Sequence, residues 1–136
     1  MAYWLLKSEP TVYSYQDLDR DKKTVWDSVT NSLALKYIRQ VQKGDLALIY
    51  HTGDEKAVVG IAEVISAAYP DPKQNDPKLV VFDIKPKKKL ARPVTLAEIK
   101  ANEKLKDFDL VRLARLSVMP VRETYWNLLM KMAGET

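Results

Sequence analysis

The chain has 136 residues, 46% hydrophobic and 29% charged, which is enough apolar material for one buried core and too much for a disordered tail. No cysteine and a single histidine exclude disulfides, thiolate metal sites and a two-histidine zinc site. Lysine and arginine number 22 against 18 acids, and the net charge of +4 permits a polyanionic partner without requiring one. The four glycines are scattered, so no phosphate-cradling loop is present and nucleotide-driven chemistry is not expected. The apolar run at the start is too short for a signal peptide or a membrane span, so a cytoplasmic chain is expected, or a nuclear one in a eukaryote.

Tyr3 to Ser8 reads as a strand that Glu9-Pro10 ends, because proline cannot donate to a ladder. Ser14 is placed to cap a short helix over Tyr15 to Asp19, with Asp17 in its first turn. Thr24 to Thr30 shows no period and carries the second tryptophan, Trp26. From Asn31 to Val41 the apolar residues fall on helical spacing, with Asn31 or Thr30 as the cap and Gly44 beyond the end. Asp45 to His51 and Ala57 to Ser66 form a hairpin around Gly53-Asp54, and Gly60 inside the return strand marks a bulge or a close backbone approach. After the proline- and aspartate-rich stretch Pro70 to Pro77, Leu79 to Lys85 is a strand and Pro86 to Pro93 its basic continuation. Thr95 and Glu98 stand in capping-box register for a short helix ending at Lys100. Leu105 to Leu113 can hold another helical turn, Arg115 to Val121 alternates as a strand, and Arg122 to Ala133 is a closing helix. The order of elements predicts one α/β domain of the α+β kind over residues 1–136, with a small, mostly antiparallel sheet or open barrel.

Catalytic patterns are thin. His51 ends a strand and serine hydroxyls exist at Ser8 and Ser117, yet no nucleophile-elbow spacing surrounds any of them. Trp26 followed by Asp27 is more informative, since an unstacked base needs an aromatic face and hydrogen bonds to its edge. The plainer reading makes Trp26 a core residue like Trp4 and Trp126. Lys85, Lys87, Lys88, Lys89 and Arg92 form a basic run that could neutralise phosphates or serve as a solvated strand end.

Several separated motifs then occur in order: Tyr3-Trp4-Leu5-Leu6-Lys7-Ser8-Glu9-Pro10, Trp26-Asp27-x-Val29-x-Asn31, Lys43-Gly44-Asp45, Tyr50-His51, Val59-Gly60-Ile61-Ala62-Glu63-Val64, Tyr69-Pro70-Asp71 and Arg115-Leu116-Ser117-Val118. Together they resemble an EVE domain over residues 3 to 129. The resemblance implies a PUA-like fold, a pseudo-barrel sheet flanked by short helices, related to the YTH readers of methylated adenine. It implies a non-catalytic module without a cofactor that reads a modified base, a methylated or hydroxymethylated cytosine or a methylated adenine, in DNA or RNA. A separate effector protein is a possible further partner, since no effector segment is recognisable in the chain.

Carried over by position, Trp26 matches the aromatic platform and Asp27 its hydrogen-bonding neighbour. Ser8 and Asn31 would frame the pocket, Tyr50 and His51 match the strand-end pair near it, and Ser117 and Val118 match the strand that closes it. Phosphate contacts are expected from Lys36 and Arg39, on the polar face of the helix, and from Lys85, Lys87, Lys88 and Lys89. The chain departs from the family pattern at Ser28, Thr30 and Met119, and over Ser32 to Lys36, which takes an arginine and an amide away from the presumed pocket. Two other readings compete: a hydrolase acting on a nucleobase or RNA with His51 or Asp27 as general base, and a protein-binding adaptor that kept only the fold.

Overall fold

In the computed structural model, which describes residues 1–135, Tyr3–Ser8 forms β1 between a parallel and an antiparallel neighbour. The parallel one is β3 (Leu46–His51) and the antiparallel one is β7 (Val118–Val121). Outward from β3 come β4 (Ala57–Val64), the long β6 (Val80–Thr95) and finally β2 (Thr24–Trp26), all antiparallel. A two-residue strand, β5 (Tyr69–Pro70), clips onto β6 off the main path β2-β6-β4-β3-β1-β7. Among the described residues only the β1–β3 pair is parallel, so the mostly antiparallel expectation holds.

The helices are short: α1 (Tyr15–Asp21), α2 (Ser32–Ile38), α3 (Leu96–Ala101), α4 (Asp109–Arg112) and α5 (Glu123–Met132). Capping residues read from the sequence are in place. Ser14 with Asp17, and Thr95 with Glu98, close full capping boxes, and Asn31 rather than Thr30 caps α2. Flat strands at about 4.8 Å spacing would leave β2 and β7 some 24 Å apart over five steps. Instead α2 packs against both β6 and β7, and Trp26 and Ser117 border one cavity. The sheet is therefore curled into a half-barrel.

Boundaries moved where local hydrogen bonds intervened. The α2 helix stops at Ile38 rather than Val41, because Gln40 N–H and Val41 N–H turn back to Tyr37 and Ile38 in tight three-residue steps. The basic continuation Pro86 to Pro93 is not separate from its strand. Instead β6 runs 16 residues, and the ladder jumps from Ile61–Lys88 to Ala62–Pro86, absorbing the missing proline donor in a bulge. The aperiodic stretch Thr24 to Thr30 is strand only to Trp26, and Ser28 then takes φ 66° and turns the chain. Strand β7 starts at Val118, although Ser117 already accepts the Lys7 N–H at 2.9 Å. The Leu105 to Leu113 stretch resolves into a 3₁₀ turn over Glu103–Leu105 followed by α4.

Buried contacts within one core hold this arrangement. Asp45, 3% exposed, accepts N–H groups from Ala2 (3.0 Å), Gln42 (2.9 Å) and the Trp4 indole (2.9 Å), which ties β1 to the loop leading into β3. Tyr15, buried at the start of α1, lies over Gly60 and donates its hydroxyl to the Ile61 carbonyl at 2.8 Å. A Cβ on Gly60 would stand 2.4 Å from that ring, so the expected close approach at this glycine is real. The α5 helix docks on β1 by stacking Trp126 on Tyr3, with centroids 4.3 Å apart.

Asp45→Ala orphans three donors, two of them on the backbone, and is expected to cost about 3 kcal/mol or more in urea unfolding. Gly60→Ala forces the Tyr15 ring off β4 and is expected to cost about 1–3 kcal/mol, read as a melting point lower by several degrees. Unchanged melting in either variant would contradict the corresponding contact.

Candidate functional site

Pro10 ends β1, and the chain folds back at once. Val12 and Tyr13 N–H groups both donate to the Glu9 carbonyl (2.9 and 2.8 Å), and the Ser8 hydroxyl donates to the Tyr13 carbonyl. Ser14 then caps α1, whose first residue donates its N–H to His51 Nε2 at 2.9 Å. A backbone N–H can only donate, so Nε2 carries the lone pair and the His51 proton sits on Nδ1, facing Glu55 at 2.7 Å. This turn forms one wall of a cavity of about 740 Å³, within the range of small-ligand sites.

The opposite wall begins with Trp26 at the end of β2. Trp26 is 9% exposed, held in the core yet bordering the cavity. Asp27 follows, exposed, with one carboxylate oxygen 3.3 Å from the Ser28 hydroxyl. The left-handed Ser28 directs Val29 and Thr30 along the cavity before Asn31 caps α2 through its side-chain oxygen, 3.0 Å from the Ala34 N–H. That bond leaves the Asn31 amide NH₂ unpartnered among the described residues. Ser117, Lys7 and Lys73 complete the lining. Val12 (79% exposed) and Val25 (41%), both large apolar residues on the surface, stand at its rim.

Of the residues named from sequence, Trp26, Asp27, Ser8, Asn31 and Ser117 are thus brought together. Tyr50, His51 and Val118 are not among the lining residues, and all three are buried. Tyr50 faces a neighbouring pocket, His51 anchors α1, and Val118 pairs with Leu6 in the sheet. The exposed Lys36, Arg39, Lys85, Lys87, Lys88 and Lys89 also lie outside the lining. Arg39 donates to the Lys78 carbonyl at 2.8 Å, and Lys88 is paired with Glu135. Met119, expected near the pocket, is fully buried in the core opposite Leu5 and does not line the cavity. Ser28 and Thr30, the other departures, do line the cavity.

Sequence reasoning passed over Lys7, Glu9, Tyr13 and Lys73 as lining residues. Lys7 and Glu9 flank Ser8 in a motif already singled out, whereas Lys73 lies in the aspartate-rich connection and had no signal. Chemically, the cavity offers the Trp26 ring, the Asp27 and Glu9 carboxylates, hydroxyls and an amide, with Lys7 and Lys73 as its cations. That donor and acceptor set suits a planar heterocycle with polar edges. Among the described residues, no group of three or more histidine, aspartate or glutamate side chains could hold a metal.

Comparison with known proteins identifies a family for the chain. The model for the EVE domain matches residues 2–132. The NMR structure of Rpa0253 from Rhodopseudomonas palustris is 43% identical and superposes with a TM-score of 0.94, covering 98% of this chain and 94% of that one. Human thymocyte nuclear protein 1 is 26% identical over 96% of this chain and 73% of its own length. The crystal structure of human THYN1 in complex with 5-methylcytosine-containing DNA superposes with a TM-score of 0.91 at 25% identity, covering 100% of this chain and 99% of that one. With its sheet curled as in these structures and the family's motifs along its length, the chain belongs to the EVE domain family.

Proposed function

We propose that the chain is a non-catalytic reader of DNA carrying a modified cytosine, and that it takes the extruded base into the cavity beside Trp26. The observation that carries this reading is the cavity itself: Trp26, Asp27, Ser8, Asn31 and Ser117 converge there from both ends of the sheet. A relative of matching fold has been crystallised with 5-methylcytosine-containing DNA, which points to the class of ligand.

The chemistry divides into two parts. Stacking against Trp26 supplies affinity of about 1–3 kcal/mol for any base. Asp27 is an acceptor suited to the exocyclic amine of cytosine, and the Asn31 amide is a donor suited to a ring carbonyl. A methyl group adds only about 1 kcal/mol of burial, so discrimination by the apolar wall alone is roughly fivefold. The reader reading is also supported by His51. Of the two general bases weighed for a hydrolase, His51 has both ring nitrogens engaged away from the cavity, which leaves only Asp27 facing it.

Trp26→Ala is expected to weaken binding of a 5-methylcytosine oligonucleotide by about tenfold or more and to erase its preference over the unmodified strand. Fluorescence anisotropy on both strands measures this, with an N6-methyladenine strand and an RNA of the same sequence as further probes. A variant that discriminates as the parent does would refute the assignment of the pocket. Preference for the adenine or RNA probe would keep the cavity and change its ligand.

A further inference from the structure

A second cavity of about 200 Å³ adjoins the first, and Lys7 lines both. Its other charged lining residues are Lys56 and Lys100, and no carboxylate of the described residues lines it. These lysines come from three places far apart in the chain: β1, the β3–β4 turn and α3. Each is placed by local structure. Lys56 takes a left-handed backbone (φ 45°), and its carbonyl accepts the Leu96 N–H at 2.8 Å, which docks the turn onto the start of α3. Lys100 stands one helical turn after Leu96 and so shares its face. The Lys7 ammonium donates to the Ala114 carbonyl at 2.7 Å and lies 5.9 Å from the centre of the Tyr50 ring.

The walls between these cations are apolar, formed by Leu96, Leu110 and Val111. Burial draws the Lys7 pKa below the ordinary lysine value, and an anion beside it would offset that shift. Glu9 is the carboxylate at the boundary. It bonds the Thr52 hydroxyl at 3.1 Å and lines the larger cavity, not this one. The geometry is that of an anion receptacle sharing a wall with a base-sized cavity.

We propose that the Lys7, Lys56 and Lys100 pocket holds a backbone phosphate of the strand whose base enters the Trp26 cavity. The proposal rests on the base-reading function given above. It also assigns the electrostatic contact to this face rather than to the Lys85–Lys89 run, where Lys88 is already paired with Glu135.

The test uses labelled single strands with and without 5-methylcytosine, titrated over a salt series. The double variant Lys56→Gln, Lys100→Gln is expected to lose roughly tenfold in affinity for both strands alike, with the modified-to-unmodified ratio unchanged. The slope of log K against log salt should fall in magnitude by about 0.7, because one phosphate is no longer neutralised. The triple variant Lys87→Gln, Lys88→Gln, Lys89→Gln should leave the slope as in the parent, and melting curves confirm that both variants are folded. An unchanged slope in the double variant, or a reduced one in the triple variant, overturns the proposal while the base preference stands. If the parent shows no base preference but the double variant still lowers the slope, the base reading fails and the phosphate pocket survives. If the parent binds no strand at all, both are refuted.

Discussion

A missing side chain organises the site. Because Gly60 has no Cβ, the Tyr15 ring can lie flat on the middle of β4 and send its hydroxyl to the Ile61 carbonyl. Burial, reinforced by the charge of Asp19, pushes that phenol up to about 12, so it remains a hydrogen-bond donor throughout the physiological range. Tyr15 is also the first residue of α1, and its N–H is held by His51 at the end of β3. One residue thus pins the start of a helix to two adjacent strands. The turn from Glu9 to Ser14 is left with a fixed end on either side, and that turn is a wall of the cavity.

The second constraint is the curl of the sheet. Trp26 and Ser117 sit at opposite ends of the strand order, and only a curled sheet with α2 packed across it brings them to one cavity. Asp45 serves the same end, since its three accepted N–H groups lock the start of β1, and β1 carries Lys7 and Ser8 to the mouth. Rigid walls matter for reading a base. A discrimination worth about 1 kcal/mol is lost if the wall can yield to the smaller ligand.

Much of this was legible from local chemistry. The caps Ser14, Asn31 and Thr95 were visible because side-chain oxygens three residues ahead of free N–H groups act within one turn. Gly60 was visible because a glycine inside an apolar strand has few other reasons to be there. What stayed hidden depended on distant partners. His51 looked like a candidate base until Tyr15 and Glu55 were seen to occupy both of its nitrogens. Lys56 and Lys100 carry no pattern in the sequence that joins them, and only the docking of the β3–β4 turn on α3 places them around Lys7. The Lys85–Lys89 run is dense in sequence, yet none of it lines the cavity.

The central claim is that a modified base contacts the Trp26 ring, and tryptophan emission during titration with short single strands reads that contact directly. Trp4 and Trp126 are buried, at 4% and 6% exposure, and lie outside the cavity, so they form a constant background. The account predicts quenching that is strongest for a 5-methylcytosine strand and disappears in Trp26→Phe while the fold is retained. Equal quenching in parent and variant, or a flat response across modified and unmodified strands, would contradict it.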